Sequence, residues 1–391
     1  MAWWRGRRGA RPVRRVFGGG ACRASAFSGE PVMRWICLCL GLVLLWPTTA
    51  AAQSRFAPPD AALLQAGLTE TADGFILPAY AAQADATADL AAALSAYCAG
   101  SGDLAAAQSG FADAFLAWQR ASLIAVGPIL DDEGPMRVQL WPDPKGFAGR
   151  AIRAAVAAED PALIADGGLE GRSIALTNLT ALEGLLYGDL APGTYACALA
   201  QAIAVFQADL ARGLETAWTP GSAFRADFDS AHPGNARFAS VDTVIRQVLA
   251  GAVVHADRLR KFKLLRGMGD APGEARPERT EARRSGLGLA SIRESFRALA
   301  DFYDTPFGLF DVAPDLGGSM DYFVLAQTAS AVADTLSVMP DALDSIAAED
   351  GAAAAELRRM ADTVLYHEDF LKTGFTNAIG LTAGFTAADG D

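Results

Sequence analysis

Apolar residues recur at intervals of three and four positions through most of this chain, which is the spacing of the buried face of an α-helix. This pattern predicts helices at residues 75–98, 105–124, 147–158, 160–165, 172–187, 195–218, 241–265, 320–337 and 352–371. A further stripe marks a helix through Leu289, Ile292, Phe296, Leu299 and Tyr303. Alternation typical of strands is sparse, and alanine and leucine, which favour helices, dominate the composition. The sequence therefore predicts an all-α protein.

Proline, glycine and charge runs divide the helical pattern into regions. Residues 53–74 are predicted to be a linker, and the proline-interrupted residues 127–149 a long irregular loop. A second linker is predicted at 267–281 from its glycine- and proline-rich composition. It separates a larger helical region, residues 75–266, from a smaller one, residues 282–391.

Residues 1–52 are predicted to lie outside the fold, as an N-terminal extension and a signal peptide. Met33 begins a short basic stretch, residues 36–46 are apolar, and residues 47–52 are mostly small. This order is that of a secretory signal peptide, and it predicts export to the periplasm. Residues 1–32 are rich in arginine and glycine, which indicates either a translation start placed too early, with Met33 as the true start, or an extended leader. We favour the first.

Charge and hydropathy argue against two classes of protein, nucleic-acid-binding proteins and proteins that span a membrane. Removing the eight arginines and one glutamate of the leader from the 33 basic and 45 acidic residues leaves a net charge of −19. Such an acidic chain is not expected to bind nucleic acid through bulk charge. No apolar stretch after the leader is long enough to span a bilayer, so no transmembrane span is expected in the mature chain. Basic residues including Lys263 end the helix at 241–265, where they suit the helix dipole.

Two cysteines, Cys98 and Cys197, remain after the leader is removed. In an oxidising compartment such a pair favours a disulfide bond over a metal site. Two separately buried thiols are the alternative.

Glu183 is the strongest candidate for a functional residue. It lies in the helix predicted at 172–187, among apolar residues at Leu179, Leu182 and Leu186. A carboxylate on an apolar face is costly to bury unless it is paired, bound to a metal or protonated. The sequence therefore predicts a buried Glu183 with a partner from elsewhere in the chain.

Three segments carry a resemblance to a known family: RSIALTNLTALEGLLYG at 172–188, RRSGL at 283–287, and GLTAGF at 380–385 followed by DGD at the end. Together, in this order and spacing, they resemble the imelysin-like family of exported, all-α bacterial proteins. The resemblance extends over residues 77–391. It implies two packed helical bundles that arose by duplication, with a cleft between them. It also implies an association with iron uptake and, by the family's name, with a metallopeptidase.

The family's hallmark is Gly-x-His-x-x-Glu, and this chain departs from it. Glu183 matches the glutamate, but Thr180 stands in the place of the histidine and Asn178 in that of the glycine. Threonine is a poor ligand for a transition metal, so Glu183 alone would not make a site of three protein ligands. Three histidines occur, and we expect His367 to be a core residue, His255 to contact the end of its helix and His232 to be solvated.

Two sets of polar groups are candidates to complete the site. The resemblance implies that Arg284 and Ser285 approach the cleft, where Arg284 would pair with Glu183 and keep it ionised. Arg120 and Arg137 are alternative partners. The ligand or cleft candidates are therefore Glu183, Thr180, Asn178, Arg284, Ser285, Arg120 and Arg137, with Glu183 as the one metal candidate. The same constellation is also consistent with a buried ion pair that joins two bundles without any ligand.

Three functional hypotheses follow. The first is a non-catalytic binding protein that assists the acquisition of iron or another divalent metal, with periplasmic or outer-membrane iron-uptake components as partners. The second is a metallopeptidase of the imelysin type, which the degenerate motif argues against. The third is an interaction module with no small ligand, in which Glu183 only stabilises the fold.

Overall fold

The computed structural model describes residues 59–312, 321–339 and 342–381. These residues belong to one compact unit that spans residues 55–391. Every regular element within the described ranges is a helix, so the predicted all-α fold is confirmed. The predicted leader and the terminal segments at 382–385 and 389–391 lie outside the described residues.

The α-helices are, in chain order, α1 Ala61–Thr71, α2 Leu77–Cys98, α3 Leu104–Ala121, α4 Gly134–Val138, α5 Phe147–Ala158, α6 Ile174–Thr177, α7 Leu179–Leu186, α8 Tyr195–Trp218, α9 Ala223–Asp229, α10 Val241–Arg258, α11 Leu265–Met268, α12 Gly288–Tyr303, α13 Asp321–Ser337, α14 Leu343–Glu349, α15 Ala352–Asp369 and α16 Phe375–Ala378. Three π-helical segments continue helices at Ala72–Ile76, Leu259–Leu264 and Phe370–Gly374, and 3₁₀ turns occur at Gly127–Glu133, Pro161–Leu163 and Pro277–Arg279.

Helix α3 lies at the centre of the packing. Helix α2 packs against α3 and α8, and α12 packs against α3 and α13. The side chains between them form one core that includes Phe111, Trp118, Phe296 and Tyr303, all nearly inaccessible to solvent. Because α12 packs directly on α3, the two predicted helical regions share an interface, and their division at 267–281 stays a prediction.

The first helix begins inside the segment predicted to be a linker. Asp60 caps α1 by accepting a hydrogen bond from the backbone N–H of Ala62, which satisfies one of the free donors of a helix start. Leu64 and Leu68, one turn apart, are buried in the core. Apolar burial and the cap therefore make residues 61–74 helical, with the π-helical segment joining α1 to α2.

The helix predicted at 172–187 is broken at Asn178. Its backbone is extended, with φ −102° and ψ 166°, between α6 and α7. Its side-chain oxygen accepts from the N–H of Ala181, and its side-chain nitrogen donates to the carbonyl of Ile174. Asn178 therefore ends one helix and caps the next, because its amide competes with the backbone for hydrogen bonds.

The predicted disulfide bond between Cys98 and Cys197 is confirmed. It joins the end of α2 to the first turn of α8, with the two Cα atoms 5.6 Å apart. A cross-link over 99 residues stabilises the fold chiefly by restricting the unfolded chain. Among the described residues, no helix is both long and apolar enough to cross a membrane.

Candidate functional site

Glu183 lies on α7 and is only 6% exposed, as its place on an apolar face predicted. Its oxygen Oε1 accepts two hydrogen bonds from Ser285, one from the backbone N–H at 2.9 Å and one from the hydroxyl at 2.8 Å. Its other oxygen, Oε2, has no hydrogen-bond partner among the described residues. The buried carboxylate is therefore half satisfied.

A tight turn before α12 presents Ser285 to the carboxylate. Ala282 adopts a left-handed backbone with φ +47°, and the N–H of Leu287 donates back to the carbonyl of Ala282. The Ser285 hydroxyl lies 3.1 Å from that carbonyl as well. A hydroxyl has one proton, and the shorter contact to the charged acceptor favours Glu183. The turn thus aims two donors at a single oxygen.

The predicted arginine partners of Glu183 are wrong. Arg120 pairs with Glu294 and Asp301 on α12. Arg137 pairs with Asp132 and donates to the backbone carbonyls of Asp132 and Arg172.

Arg284 does not pair with Glu183 either. It is exposed on the same cleft, and no ion pair joins the two within the described part of the chain. Two hydrogen bonds from Ser285 therefore take the place of a cation. No cation among the described residues contacts Oε2.

Thr180 and Asn178, the two departures from the hallmark, both serve the backbone. The Thr180 hydroxyl donates to the carbonyl of Leu140 at 3.1 Å, which ties α7 to the irregular loop. Asn178 is the helix cap described above and is completely buried. Neither side chain adds a strong metal ligand beside Glu183.

Glu183 and Thr180 line a cleft of about 470 Å³. Its walls come from the irregular loop and α5, from the motif helix α7, and from residues 278–284 before α12. Phe111, Phe115 and Trp141 supply apolar surface. A concave, partly apolar cavity of this size is typical of small-molecule sites. The structure thus brings Glu183, Thr180 and Arg284 to one cavity, with Ser285 holding the glutamate.

A buried polar cluster borders the cleft, and the sequence did not reveal it. Lys263 donates to Glu281 at 3.0 Å and to Gln119 and Ser291, and Gln139 donates to Glu281 at 2.7 Å. Burial lowers the pKa of Lys263, and the charge of Glu281 opposes that shift. The sequence placed Lys263 at a basic helix end and Glu281 in a linker. Lys263 continues the buried stripe of Ala256 and Leu259 into the π-helical segment, so it lies on the core side of the helix.

The histidines contribute nothing to the cleft wall. His255 is buried and contacts the Ser295 carbonyl at 3.0 Å and the Ser122 hydroxyl at 3.2 Å. It therefore joins α10 to α12 and to the end of α3, and the predicted contact with the end of its own helix is wrong. Burial lowers its pKa to about 3. His367 is a core residue, as predicted, with Nδ1 3.3 Å from the Tyr303 hydroxyl; burial lowers its pKa to about 4. His232 is exposed, as predicted.

The donor set beside Glu183 does not fit a resident metal ion. Catalytic zinc sites use three protein ligands, whereas Glu183 offers one free oxygen and Thr180 only a hydroxyl, a poor ligand for a transition metal. Within the described ranges, no group of three or more histidine, cysteine, aspartate or glutamate side chains is arranged to hold a metal ion. Among the described residues, this wall would supply only part of a metal's ligands, and water or a chelator would supply the rest.

Comparison with known proteins agrees with the architecture. The family model for imelysin (Peptidase M75) matches residues 76–383. The chain is similar in structure to an imelysin-like protein from Psychrobacter arcticus 273-4, with a TM-score of 0.70 and 18% identity over 84% of this chain and 100% of that one. It is also similar to a protein from Parabacteroides distasonis ATCC 8503 named as an iron-regulated protein A precursor, with a TM-score of 0.66 and 13% identity over 82% and 97%. No curated protein matches the chain.

Proposed function

This chain belongs to the imelysin family, and we propose that it is an exported, non-catalytic binding protein associated with the acquisition of iron or another divalent metal. The observation that carries the proposal is the half-satisfied Glu183. Two donors from Ser285 fix its orientation, while Oε2 has no hydrogen-bond partner among the described residues on the wall of a small-molecule-sized cleft. Oε2 is not among the fully buried atoms that lack a partner, so it reaches the cleft, where a ligand can contact it.

The association with iron is supported by a structural neighbour. The Parabacteroides distasonis protein is named as iron-regulated and as a precursor. We extend both properties to this chain as part of the proposal, together with periplasmic or outer-membrane iron-uptake components as partners. The disulfide bond between α2 and α8 is consistent with an oxidising compartment such as the periplasm.

The family model carries a peptidase name, so a metallopeptidase is the second candidate. The loss of the motif histidine argues against it, because the hydroxyl of Thr180 is a poor ligand for a transition metal. Proteolysis of an unfolded protein substrate that appears with added Zn(II) and disappears in Glu183→Gln would favour the peptidase over the binding protein.

Calorimetry tests the proposal. Fe(III), Fe(II), Zn(II), Cu(II) and haem are each titrated into the purified wild-type chain. The same titrations are repeated with Glu183→Ala and with the control variant Glu356→Ala. Glu356 is a carboxylate in an ion pair with Arg359, remote from the cleft in the chain. We expect binding by the wild type and the control, weakened about tenfold or more in Glu183→Ala, a loss of about 1.4 kcal/mol.

Two results would contradict the proposal. If no probe binds, the chain is not a binding protein for these metals or for haem. If Glu183→Ala and the wild type bind equally well, Glu183 is not part of the binding site. A lower melting temperature in that variant would then favour the interaction module.

A further inference from the structure

The cleft beside Glu183 is basic although the chain is acidic, with a net charge of −12. Five basic residues line it: Lys145, Arg150, Arg153, Arg283 and Arg284. They come from two separate segments, the start of α5 and the turn before α12. Within the described ranges none of the five forms an ion pair with a carboxylate, and all five are exposed to solvent.

The acidic side chains on the same walls are already engaged. Asp143 caps α5, accepting from the N–H groups of Phe147 and Ala148 at 2.8 and 2.9 Å. Glu281 is bound by Lys263, and Glu278 lies 3.9 Å from the guanidinium of Arg279. Glu183 is the remaining acid, with one oxygen held by Ser285. Among the described residues the five cations of the cleft therefore form no ion pair, and they outnumber the four carboxylates on its walls.

Two other cavities among the described residues do not share this charge. A cavity of about 300 Å³ beside α8 is lined by Asp166, Glu170 and Asp209 without any basic residue. In a cavity of about 450 Å³ beside α2, the one basic residue, Arg120, pairs with Asp301. The positive excess at the Glu183 cleft is thus a local feature and not a property of the whole surface.

The basic side chains suit oxyanions. Guanidinium groups donate in a fixed fork that matches carboxylate and phosphate oxygens. One N–H of Arg150 is used on the carbonyl of Lys145, and Arg150 and Lys145 both lie over the ring of Phe147. The indole nitrogen of Trp141, another lining residue, is buried without a partner among the described residues. It can only donate, so it suits an acceptor on the ligand.

We propose that this cleft binds a small, multiply charged oxyanion, a polycarboxylate or a polyphosphate, taken up free or as the ligand shell of an iron(III) complex. The second form rests on the proposed function. It agrees with the incomplete donor set, because a chelated metal brings its own ligands and exposes negative charge to the arginines. Glu183 Oε2 then faces the metal side of the complex, and the basic residues bind the outer oxygens.

Calorimetry at low ionic strength tests the anion site. The probes are citrate, pyrophosphate and ferric citrate, each titrated into the wild type, Arg283→Ala/Arg284→Ala and Arg150→Ala/Arg153→Ala. The matched control is Arg237→Ala/Arg359→Ala, which removes two exposed arginines that do not line the cleft. Melting curves verify that each variant folds, which is expected because the arginines are exposed.

We expect at least one anion to bind the wild type, with affinity reduced about tenfold or more in both cleft variants and less than about twofold in the control. Raising the salt concentration should weaken binding by the wild type more than by the cleft variants. Citrate binding and pyrophosphate binding distinguish the two anion classes.

Two outcomes overturn the inference: no heat with any of the three probes, or equal weakening in the cleft variants and the control, which would indicate net charge alone. The test also separates this inference from the proposed function. Binding of citrate or pyrophosphate without ferric citrate or any metal supports the anion site and contradicts iron binding. Glu183-dependent binding of free metal without any anion supports the function and overturns the anion site.

Discussion

Glu183 and Glu281 are two buried carboxylates on the wall of one cleft, and the protein satisfies them in opposite ways. Glu281 uses both oxygens: Gln139 donates to Oε1, and Lys263 and Ser291 donate to Oε2. Within the described ranges, Glu183 uses only Oε1 and no cation contacts it. The two residues differ little in exposure, at 2% and 6%. Burial alone therefore does not separate a structural carboxylate from one that is available to a ligand.

The partners make the difference. A neutralised, fully bonded carboxylate has its charge and lone pairs satisfied inside the protein, so it contributes to the fold. A carboxylate held by one serine is oriented but keeps one oxygen free for a ligand. We therefore assign Glu281 to the structure and Glu183 to the cleft, and the following variants test that assignment.

The largest effect is expected from Lys263→Met. It removes the only cation in contact with Glu281 among the described residues and leaves a buried, unpaired charge. The free energy of unfolding should fall by about 3–5 kcal/mol, measured by chemical denaturation. The double variant Lys263→Met/Glu281→Gln should recover part of the loss. A loss below about 1 kcal/mol in the single variant would contradict a structural role for the pair.

The second largest effect is expected from acid, which should destabilise the fold through two buried histidines. His255 and His367 have pKa values of about 3 and about 4 in the folded protein, below the ordinary value near 6.5. The unfolded chain therefore binds more protons below about pH 6.5, and stability falls with pH down to about 4. Between pH 6 and pH 5 the unfolding free energy should drop by about 2 kcal/mol.

Denaturation curves at a series of pH values measure this slope. His367→Phe should reduce it by about half, because one of two buried groups is removed. His232→Ala is the control, since His232 is exposed, and its slope should equal that of the wild type. An unchanged slope in His367→Phe would contradict the prediction.

Thr180→His tests whether Glu183, the carboxylate that faces the cleft, can bind a metal. The variant adds a second metal ligand near Glu183. An imidazole three residues before the carboxylate lies on the same helical face. Zn(II) binding should tighten about tenfold, or by about 1.4 kcal/mol, measured by calorimetry. The gain should vanish in Thr180→His/Glu183→Gln. Equal Zn(II) affinity in Thr180→His and the wild type would mean that Glu183 is not accessible to a metal.

The smallest effect is expected from Ser285→Ala, which removes one of the two hydrogen bonds to Glu183 and keeps the backbone bond. The unfolding free energy should fall by about 1 kcal/mol, since the carboxylate retains the N–H and reaches the cleft. Ser285→Thr keeps a hydroxyl and serves as the control. A loss in Ser285→Ala as large as that in Lys263→Met would remove the distinction between the two carboxylates.

Local sequence determined much of this protein. Spacing of apolar residues was enough to predict the all-α fold and the burial of Glu183, because both depend on which side of a helix a residue occupies. The family could be recognised from three short segments. The two cysteines outside the predicted leader predicted the disulfide bond, because two cysteines have one possible pairing.

Only the tertiary structure decided the partners. The contact of Glu183 with Ser285 spans 102 residues, and that of Gln139 with Glu281 spans 142. Neither is encoded by periodicity, and opposite charge wrongly favoured an arginine for Glu183. Asn178 breaks a helix that looks continuous in sequence, because its extended backbone ends one helix and caps the next. Hydrogen bonds act over about 3 Å, so packing selects the partner of each buried group.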